Sequence, residues 1–263
     1  MENYYLGVDI GSLTVKIVLL NRAKEILGQS VARAGYNGRD VANRLIEQLL
    51  AQTGLSASEI SVTVATGYGR VTFPSDREVS EITCQAKGIS HLFPSARTII
   101  DIGGQDSKVI KLLPNGKVGD FAMNDKCAAG TGRFLEVMAS ALEVDLSEME
   151  AFVAPAKNPT KISSFCTVFA ESEVISQVSS GTPKADILAG VCDSVASRVA
   201  SLTSRIGLEP DIVFTGGVAH NHGVVNSLAK QLGFPLLVFK EPSITAALGA
   251  ALLAFEIRTL NLS

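Results

Sequence analysis

The sequence predicts an α/β protein that contains two similar units. Short apolar runs typical of buried strands alternate with segments of helical spacing along the 263 residues, which is the pattern of layered α/β folds. An Asp-Ile-Gly turn ends a strand at Asp9–Gly11 and again at Asp101–Gly103, at equivalent places in two strand–turn–strand segments. We interpret this repetition as an internal duplication of a βββα element.

The first unit is predicted over residues 1–95. Its strands fall at 4–10, 14–20, about 25–32 and 61–66, and a helix covers 39–52. A tight turn at Gly11–Leu13 joins the first two strands. The helix places Val41, Leu45 and Leu49 on one face, which is the spacing of an amphipathic helix that packs against a sheet.

The second unit is predicted over residues 96–243. Its elements in chain order are a strand that runs into a glycine turn at 97–104, strands at 107–113 and 117–123, helices near 130–142, 167–180 and 184–206, a strand that runs into a glycine turn at 211–217, a helix, and a strand at 235–239. A final helix at about 244–257 is expected to pack back on the first unit. Because each unit has its own sheet, the expected ligand site is the cleft between them.

Composition argues against several classes of function. A formal net charge of −3 and the lack of polybasic runs argue against binding to nucleic acid or to a membrane surface. No apolar run approaches the roughly 20 residues of a membrane span. A strand pattern begins at Tyr4, so no signal peptide is expected. Four cysteines in a chain of this length are not a disulfide framework, and we expect a cytoplasmic protein.

The glycine turns are candidates for binding nucleotide phosphates. Gly11, Gly103 and Gly104 lack a Cβ, so the backbone there can approach phosphate oxygens closely. Asp9 and Asp101 stand at strand ends, where carboxylates suit Mg²⁺ held through water, and one of them is a candidate to orient the attacking water. The chain contains neither a Walker A loop nor a Rossmann glycine signature.

This pattern of turns resembles the actin–hexokinase–Hsp70 superfamily of nucleotide clamps, whose two domains are ribonuclease H-like. The resemblance implies that the glycines of Thr215-Gly216-Gly217 form the turn on the adenosine side. It implies nucleotide contacts from Gly11, Ser12, Leu13, Thr14, Val15 and Lys16 in the first phosphate loop, from Gly103, Gly104, Gln105 and Asp106 in the second, and from Gly216, Gly217, Val218, Ala219, His220 and Pro242 around adenosine. The catalytic candidates are Asp9, Asp101 and Gln105. Lys16 is equally consistent with an ordinary strand-end lysine, and His220 with a surface histidine.

Two of the four cysteines stand just before helix-like segments. Cys127 precedes Ala-Ala-Gly-Thr-Gly, and Cys166 lies between Ser163-Ser164 and Thr167, as in a helix cap region. The dipole and free N–H groups of a helix N-terminus stabilise a thiolate, and they also favour a thiolate-ligated metal cluster. Two cysteines cannot hold a four-thiolate cluster, whereas two copies of the chain could do so across a two-fold axis.

The other two cysteines, Cys84 and Cys192, lie within helical patterns and are interpreted as small buried hydrophobic residues. A lone cysteine usually has that role, so it is also the alternative for Cys127 and Cys166. No two cysteines in the sequence form a C-x-x-C pair, which excludes a self-contained zinc ribbon or ferredoxin site.

Three segments are very similar to the ATP-dependent activators of 2-hydroxyacyl-CoA dehydratases, a family that includes the BadF/BadG/BcrA/BcrD-type ATPases. These segments are residues 99–110, 123–136 and 166–176. The resemblance extends from residue 6 to about residue 253, and Thr66–Arg70 also matches the family without an assigned role. It implies a homodimer with one [4Fe-4S] cluster at the subunit interface, ligated by Cys127 and Cys166 of each chain.

The resemblance also implies a function. ATP hydrolysis would drive an electron from ferredoxin or flavodoxin to a partner iron–sulfur enzyme, either a 2-hydroxyacyl-CoA dehydratase or a double-cubane-cluster reductase. The helices after Cys127 and Cys166 would direct their positive ends at the cluster and couple hydrolysis to electron transfer. Val191-Cys-Asp193 departs from the His-Arg type pair of dehydratase activators, so the target enzyme stays open. The alternatives are a sugar kinase of the same fold without a cluster, and a non-enzymatic regulator that binds ATP.

Overall fold

The computed structural model describes residues 3–163 and 166–260. The chain forms two compact units. One contains the residues up to Ala96, Leu112–Gly119 and the residues from Lys240 onward, and the other contains Arg97–Lys111 and Asp120–Phe239. None of the helices in the described part of the chain has the length and apolar character that a membrane crossing requires.

The first unit is built on a five-stranded sheet with the order β3-β2-β1-β4-β5. Its elements are β1 (Tyr4–Ile10), β2 (Thr14–Leu20), β3 (Ile26–Arg33), α1 (Gly38–Thr53), β4 (Ile60–Thr66), β5 (Arg77–Glu78) and α2 (Glu81–Leu92). β1 pairs antiparallel with β2 and parallel with β4. The carboxyl ends of β1 and β4 therefore lie side by side at one end of the sheet.

The second sheet has the order β10-β9-β6-β7-β8. The elements that follow in the chain are β6 (Thr98–Ile102), β7 (Ser107–Leu112), β8 (Val118–Asn124), α3 (Gly132–Ala141), α4 (Met149–Val153), α5 (Thr167–Ser179), α6 (Lys184–Thr203), β9 (Ile212–Thr215), α7 (His222–Leu232), β10 (Leu236–Val238) and α8 (Thr245–Leu260). β6 pairs antiparallel with β7 and parallel with β9. This arrangement repeats that of the first sheet strand for strand.

Each sheet is covered by helices that bury apolar side chains. In the second unit, Phe134 and Met138 of α3 and Val195 of α6 are buried in one core with Phe214 of β9. In the first unit, α8 packs closely against α2. The lack of a side chain at Gly88 of α2 allows this approach, since a Cβ there would overlap a carbonyl oxygen of α8.

The predicted α/β fold and its duplication are confirmed, because the two sheets place their equivalent strands in the same order. Most predicted strands and helices agree with the structure to within two residues. The strand and the glycine turn predicted over 211–217 are both present, since β9 ends at Thr215 and Gly216 begins the turn with a φ of 87°. Neither β5 nor α4 was predicted, because segments of two and five residues are too short to have a readable period.

Candidate functional site

The first glycine turn, residues 9–16, joins β1 to β2. The Gly11 amide donates to the Thr14 carbonyl oxygen at 3.0 Å, which closes the hairpin. Asp9 lies opposite Lys16 in the register, and Lys16 Nζ forms an ion pair with Asp9 Oδ2 at 2.9 Å. A Cβ at Gly11 would lie only 3.2 Å from Lys16 Nζ. The glycine therefore keeps the space beside the lysine open for a ligand.

The second glycine turn, residues 101–108, joins β6 to β7 in the same way. The Gly103 amide donates to the Asp106 carbonyl oxygen at 2.9 Å. Asp101 lies opposite Lys108 in the register. Lys108 Nζ lies 3.5 Å from Asp101 Oδ2 and 2.8 Å from Asp106 Oδ2. The two turns thus place an aspartate and a lysine in the same relation.

Lys108 is a site residue that the sequence prediction missed. Its side chain is only 2% exposed, and it holds two buried carboxylates together. A buried charge of this kind is stable only when it is paired and hydrogen bonded. The signal was present in the sequence, because seven residues separate Asp101 from Lys108 just as they separate Asp9 from Lys16.

Each of the two aspartates also has a glycine beside it from the neighbouring parallel strand. In the parallel pairs, Thr66 of β4 lies next to Asp9 and Thr215 of β9 next to Asp101. Gly67 and Gly216 follow with φ values of 81° and 87°, which favour glycine. A Cβ at either position would lie 2.5 Å from the Oδ1 atom of the neighbouring aspartate. Sequence reasoning assigned chemistry to Gly216 alone, although Gly67 has the same geometry.

Asp9 has the properties of a group that faces a cation. It is 2% exposed, and its Oδ1 atom is buried without a hydrogen-bond partner in the described part of the chain. An unpaired buried carboxylate oxygen is costly, so a bound water or cation there would lower the free energy of the site. The carboxylate therefore fits a magnesium ion held directly or through water.

The remaining predicted nucleotide contacts differ in their access to solvent. Ser12, Gln105, Gly217 and His220 are exposed. The side chains of Val15, Val218 and Ala219 are buried in the cores, so these residues can meet a ligand only through their backbone. Pro242 is also buried and belongs to the first unit, whereas residues 216–220 belong to the second.

Cys166 is exposed and is the N-cap residue of α5. Its carbonyl oxygen accepts from the Ala170 amide at 2.8 Å. Glu173 holds the preceding segment, because it accepts from the amide and the hydroxyl of Ser163 at 3.0 Å. Ser164, the other predicted cap residue, lies outside the described residues. The Cys166 thiol thus stands at the N-terminus of a regular helix.

Cys127 is also exposed, but it lies in a loop, five residues before α3 begins. Asn124 fixes this loop by donating to the carbonyl oxygens of Cys127 and Ala129, at 2.9 Å and 3.3 Å. The first amides of α3, those of Gly132 and Arg133, donate to Gly103 and Gly104 of the second glycine turn at 2.9 Å and 2.8 Å. These two amides therefore bind the glycine turn, and the expectation that α3 directs its positive end at a cluster stays a prediction.

The surroundings of Cys127 are basic. A cavity of about 180 Å³ beside it is lined by Asn124, Arg198 and Arg205. The two arginines that line it make the cavity suited to an anionic group. The described residues contain no cluster of three or more His, Cys, Asp or Glu side chains that could hold a metal ion.

The other two cysteines are chemically distinct. Cys84 of α2 and Cys192 of α6 are fully buried. Burial raises the pKa of each thiol to about 12, because a thiolate is poorly solvated in an apolar core. Both residues act as packing groups, as predicted from the sequence.

Comparison with known proteins gives a family match over nearly the whole chain. The sequence model of the BadF/BadG/BcrA/BcrD ATPase family matches residues 6–254. The activator of lactoyl-CoA dehydratase from Anaerotignum propionicum is 52% identical over 96% of this chain and 98% of its own length. The structure of the activator of the 2-hydroxyisocaproyl-CoA dehydratase from Clostridium difficile, with bound ADPNP, has 46% identity and a TM-score of 0.95, covering 98% of this chain and 97% of that chain.

A more distant structure bears on the fold alone. A ROK family glucokinase from Streptomyces griseus is 14% identical, with a TM-score of 0.58 over 97% of this chain and 100% of that chain. Together with the activator structure, this neighbour confirms the predicted actin–hexokinase–Hsp70-like architecture. The low identity gives no support to the alternative of a sugar kinase.

Proposed function

Because the chain belongs to the BadF/BadG/BcrA/BcrD ATPase family, we propose that it is an ATP-hydrolysing activator that passes low-potential electrons to a partner iron–sulfur enzyme. One observation carries the proposal. The second glycine turn is hydrogen bonded to the start of α3, which follows the exposed Cys127 by five residues. A phosphate-binding turn and a thiol suited to a metal cluster are therefore mechanically joined.

ATP would bind with its phosphates at the two glycine turns and its adenosine at Gly216 and Gly217. The ADPNP in the related activator structure supports a nucleotide of this type. Mg²⁺, when bound, neutralises charge on the phosphates, and Asp9 would hold it, since Asp9 Oδ1 is buried and unpaired in the described chain. Asp101 and the exposed Gln105 are the remaining candidates to position the attacking water.

A [4Fe-4S] cluster would be shared by two copies of the chain, with Cys127 and Cys166 of each copy as ligands. When bound, such a cluster stores and releases one electron at low potential. Both thiols are exposed, and α3 and α5, the helices that follow them, pack against each other. Two thiolates per chain and a four-thiolate cluster require a symmetric dimer. Thiolates this exposed suit a reducing cytoplasm.

Coupling between ATP and the cluster would pass through two hydrogen bonds. Loss of the γ-phosphate changes what the second glycine turn contacts, and a shift of Gly103 and Gly104 is transmitted to the amides of Gly132 and Arg133. These residues continue directly from the Cys127 loop. A Cβ at Gly132 would lie 3.2 Å from the Gly103 carbonyl oxygen, so the backbones of the turn and of α3 are in close contact. The turn and the loop would move together.

The partner would be a 2-hydroxyacyl-CoA dehydratase or a related double-cubane-cluster reductase, with ferredoxin or flavodoxin as the electron donor. Relatives that activate lactoyl-CoA and 2-hydroxyisocaproyl-CoA dehydratases support the first class. Cys192, in the segment that departs from the expected pair, is buried, so this residue does not itself form a partner-binding surface.

The test is ATP-driven reduction of a dehydratase by the protein purified without oxygen. We expect Cys127→Ser to abolish reduction while ATP binding is retained. Cys192→Ala is the matched control, because it removes a buried cysteine and should leave reduction unchanged. Reduction by Cys127→Ser at the wild-type rate would contradict the proposal. ATP-dependent phosphorylation of a sugar would instead favour the kinase.

A further inference from the structure

The segment Thr66–Arg70 has a defined place beside the first glycine turn. Gly67 begins a single helical turn of residues 68–72. Its backbone lies against Asp9, since a Cβ at Gly67 would stand 2.5 Å from Asp9 Oδ1. Gly69 packs directly on Ile10, leaving no room for a side chain. The segment is therefore fixed against the residues that lead into the first glycine turn.

Arg70 is held over this segment. Its Nη1 atom donates to the Gly67 carbonyl oxygen at 3.0 Å, so the guanidinium folds back over the residue that touches Asp9. The side chain is half-buried. No carboxylate in the described part of the chain forms an ion pair with it, and the Asp9 carboxylate is already paired with Lys16. A half-buried guanidinium with unused donors suits an oxyanion.

We propose that Arg70 binds the γ-phosphate of ATP. The proposal rests on the proposed function, in which Asp9 would hold the magnesium ion that neutralises the phosphates of ATP. The guanidinium lies over Gly67, whose backbone lies against Asp9, so we place Arg70 at the phosphate end of the nucleotide, beside the magnesium-bound γ-phosphate. The planar fork of arginine matches two phosphate oxygens while Nη1 keeps its bond to Gly67. Arg70 then distinguishes ATP from ADP, because the favourable charge contact exists only with the terminal phosphate.

The test compares two nucleotides on two arginine variants of the full chain. Arg70→Gln retains an N–H donor for the Gly67 carbonyl oxygen but removes the charge. We expect it to weaken binding of AMPPNP with Mg²⁺ about 10- to 100-fold and to change ADP binding less than about 3-fold, measured by titration calorimetry. Arg70→Lys, which keeps the charge without the fork, should fall between Arg70→Gln and the wild type. Arg77→Gln, an exposed arginine in the same unit, should bind both nucleotides normally.

Two results separate this inference from the proposed function. If the wild-type chain binds AMPPNP but Arg70→Gln binds it equally well, the inference is overturned and the proposed function stands. An equal loss of AMPPNP and ADP affinity would also overturn it, because that result reports only a loosened turn. If the wild type binds neither nucleotide, the proposed function itself fails.

Discussion

Replacing Gly216 by alanine tests the geometry of the aspartate-flanking turns. The residue has φ 87° and ψ 173°, a region that only glycine adopts without strain, at a cost of about 1–3 kcal/mol for other residues. The new methyl group would stand 2.5 Å from Asp101 Oδ1 and would overlap the Ile102 carbonyl oxygen. Crowding of this kind adds about 1–3 kcal/mol. The variant should therefore lose about 2–6 kcal/mol of stability.

The matched control is Gly217→Ala. A Cβ at Gly217 would meet no atom of the described residues within 4 Å, and the φ of Gly217 is not positive, so its substitution should change stability by less than about 0.5 kcal/mol. Thermal unfolding should show a fall in Tm of at least about 5 °C for Gly216→Ala and almost none for Gly217→Ala. Gly67→Ala should resemble Gly216→Ala, because the two turns are equivalent. Equal Tm values for Gly216→Ala and Gly217→Ala would refute this reasoning.

Three further predictions follow from the buried charges and the cysteines. Lys108→Met leaves two buried carboxylates without their cation and should lower the free energy of unfolding in urea by about 3–5 kcal/mol. Its control, Lys111→Met, breaks a more exposed pair with Glu209 and should lower it by less than about 1 kcal/mol. Iodoacetamide at pH 8 should label Cys127 and Cys166 in cluster-free protein. It should spare Cys84 and Cys192, because burial raises their thiol pKa values to about 12. Early labelling of Cys84, detected by mass spectrometry, would contradict this. Glu173→Ala removes the acceptor that fixes Ser163 and should speed iron loss to a chelator several-fold, and unchanged kinetics would count against that role.

The fold was predictable because its signals are local. Short apolar runs marked β1 and β2 to the residue, and the repeated Asp-Ile-Gly turn revealed the duplication. Lys108 was missed because a lysine in a strand looks like a surface residue until its two carboxylate partners are seen in three dimensions. The start of α3 was predicted near residue 130, whereas the helix begins at Gly132. Small residues are compatible with a helix start, and only the bonds from Gly132 and Arg133 fix where the helix begins.

The site was predictable in part. The Asp-x-Gly turns led to the prediction of which residues approach phosphate, and in the structure the glycine amide of each turn donates across the hairpin. Sequence spacing could not reveal that Val218 and Ala219 face the core, because side-chain direction in an irregular turn has no period. It also gave no role to Arg70, whose position depends on a bond back to Gly67.

We propose that the two exposed cysteines of each chain share one cluster with a second chain. The most direct test measures iron and acid-labile sulfide per chain in protein purified without oxygen, together with its mass in solution. We predict about two iron and two sulfide per chain in a dimer, and loss of both in Cys166→Ser. Negligible iron after attempted reconstitution, or four iron atoms bound by a monomer, would contradict the shared cluster.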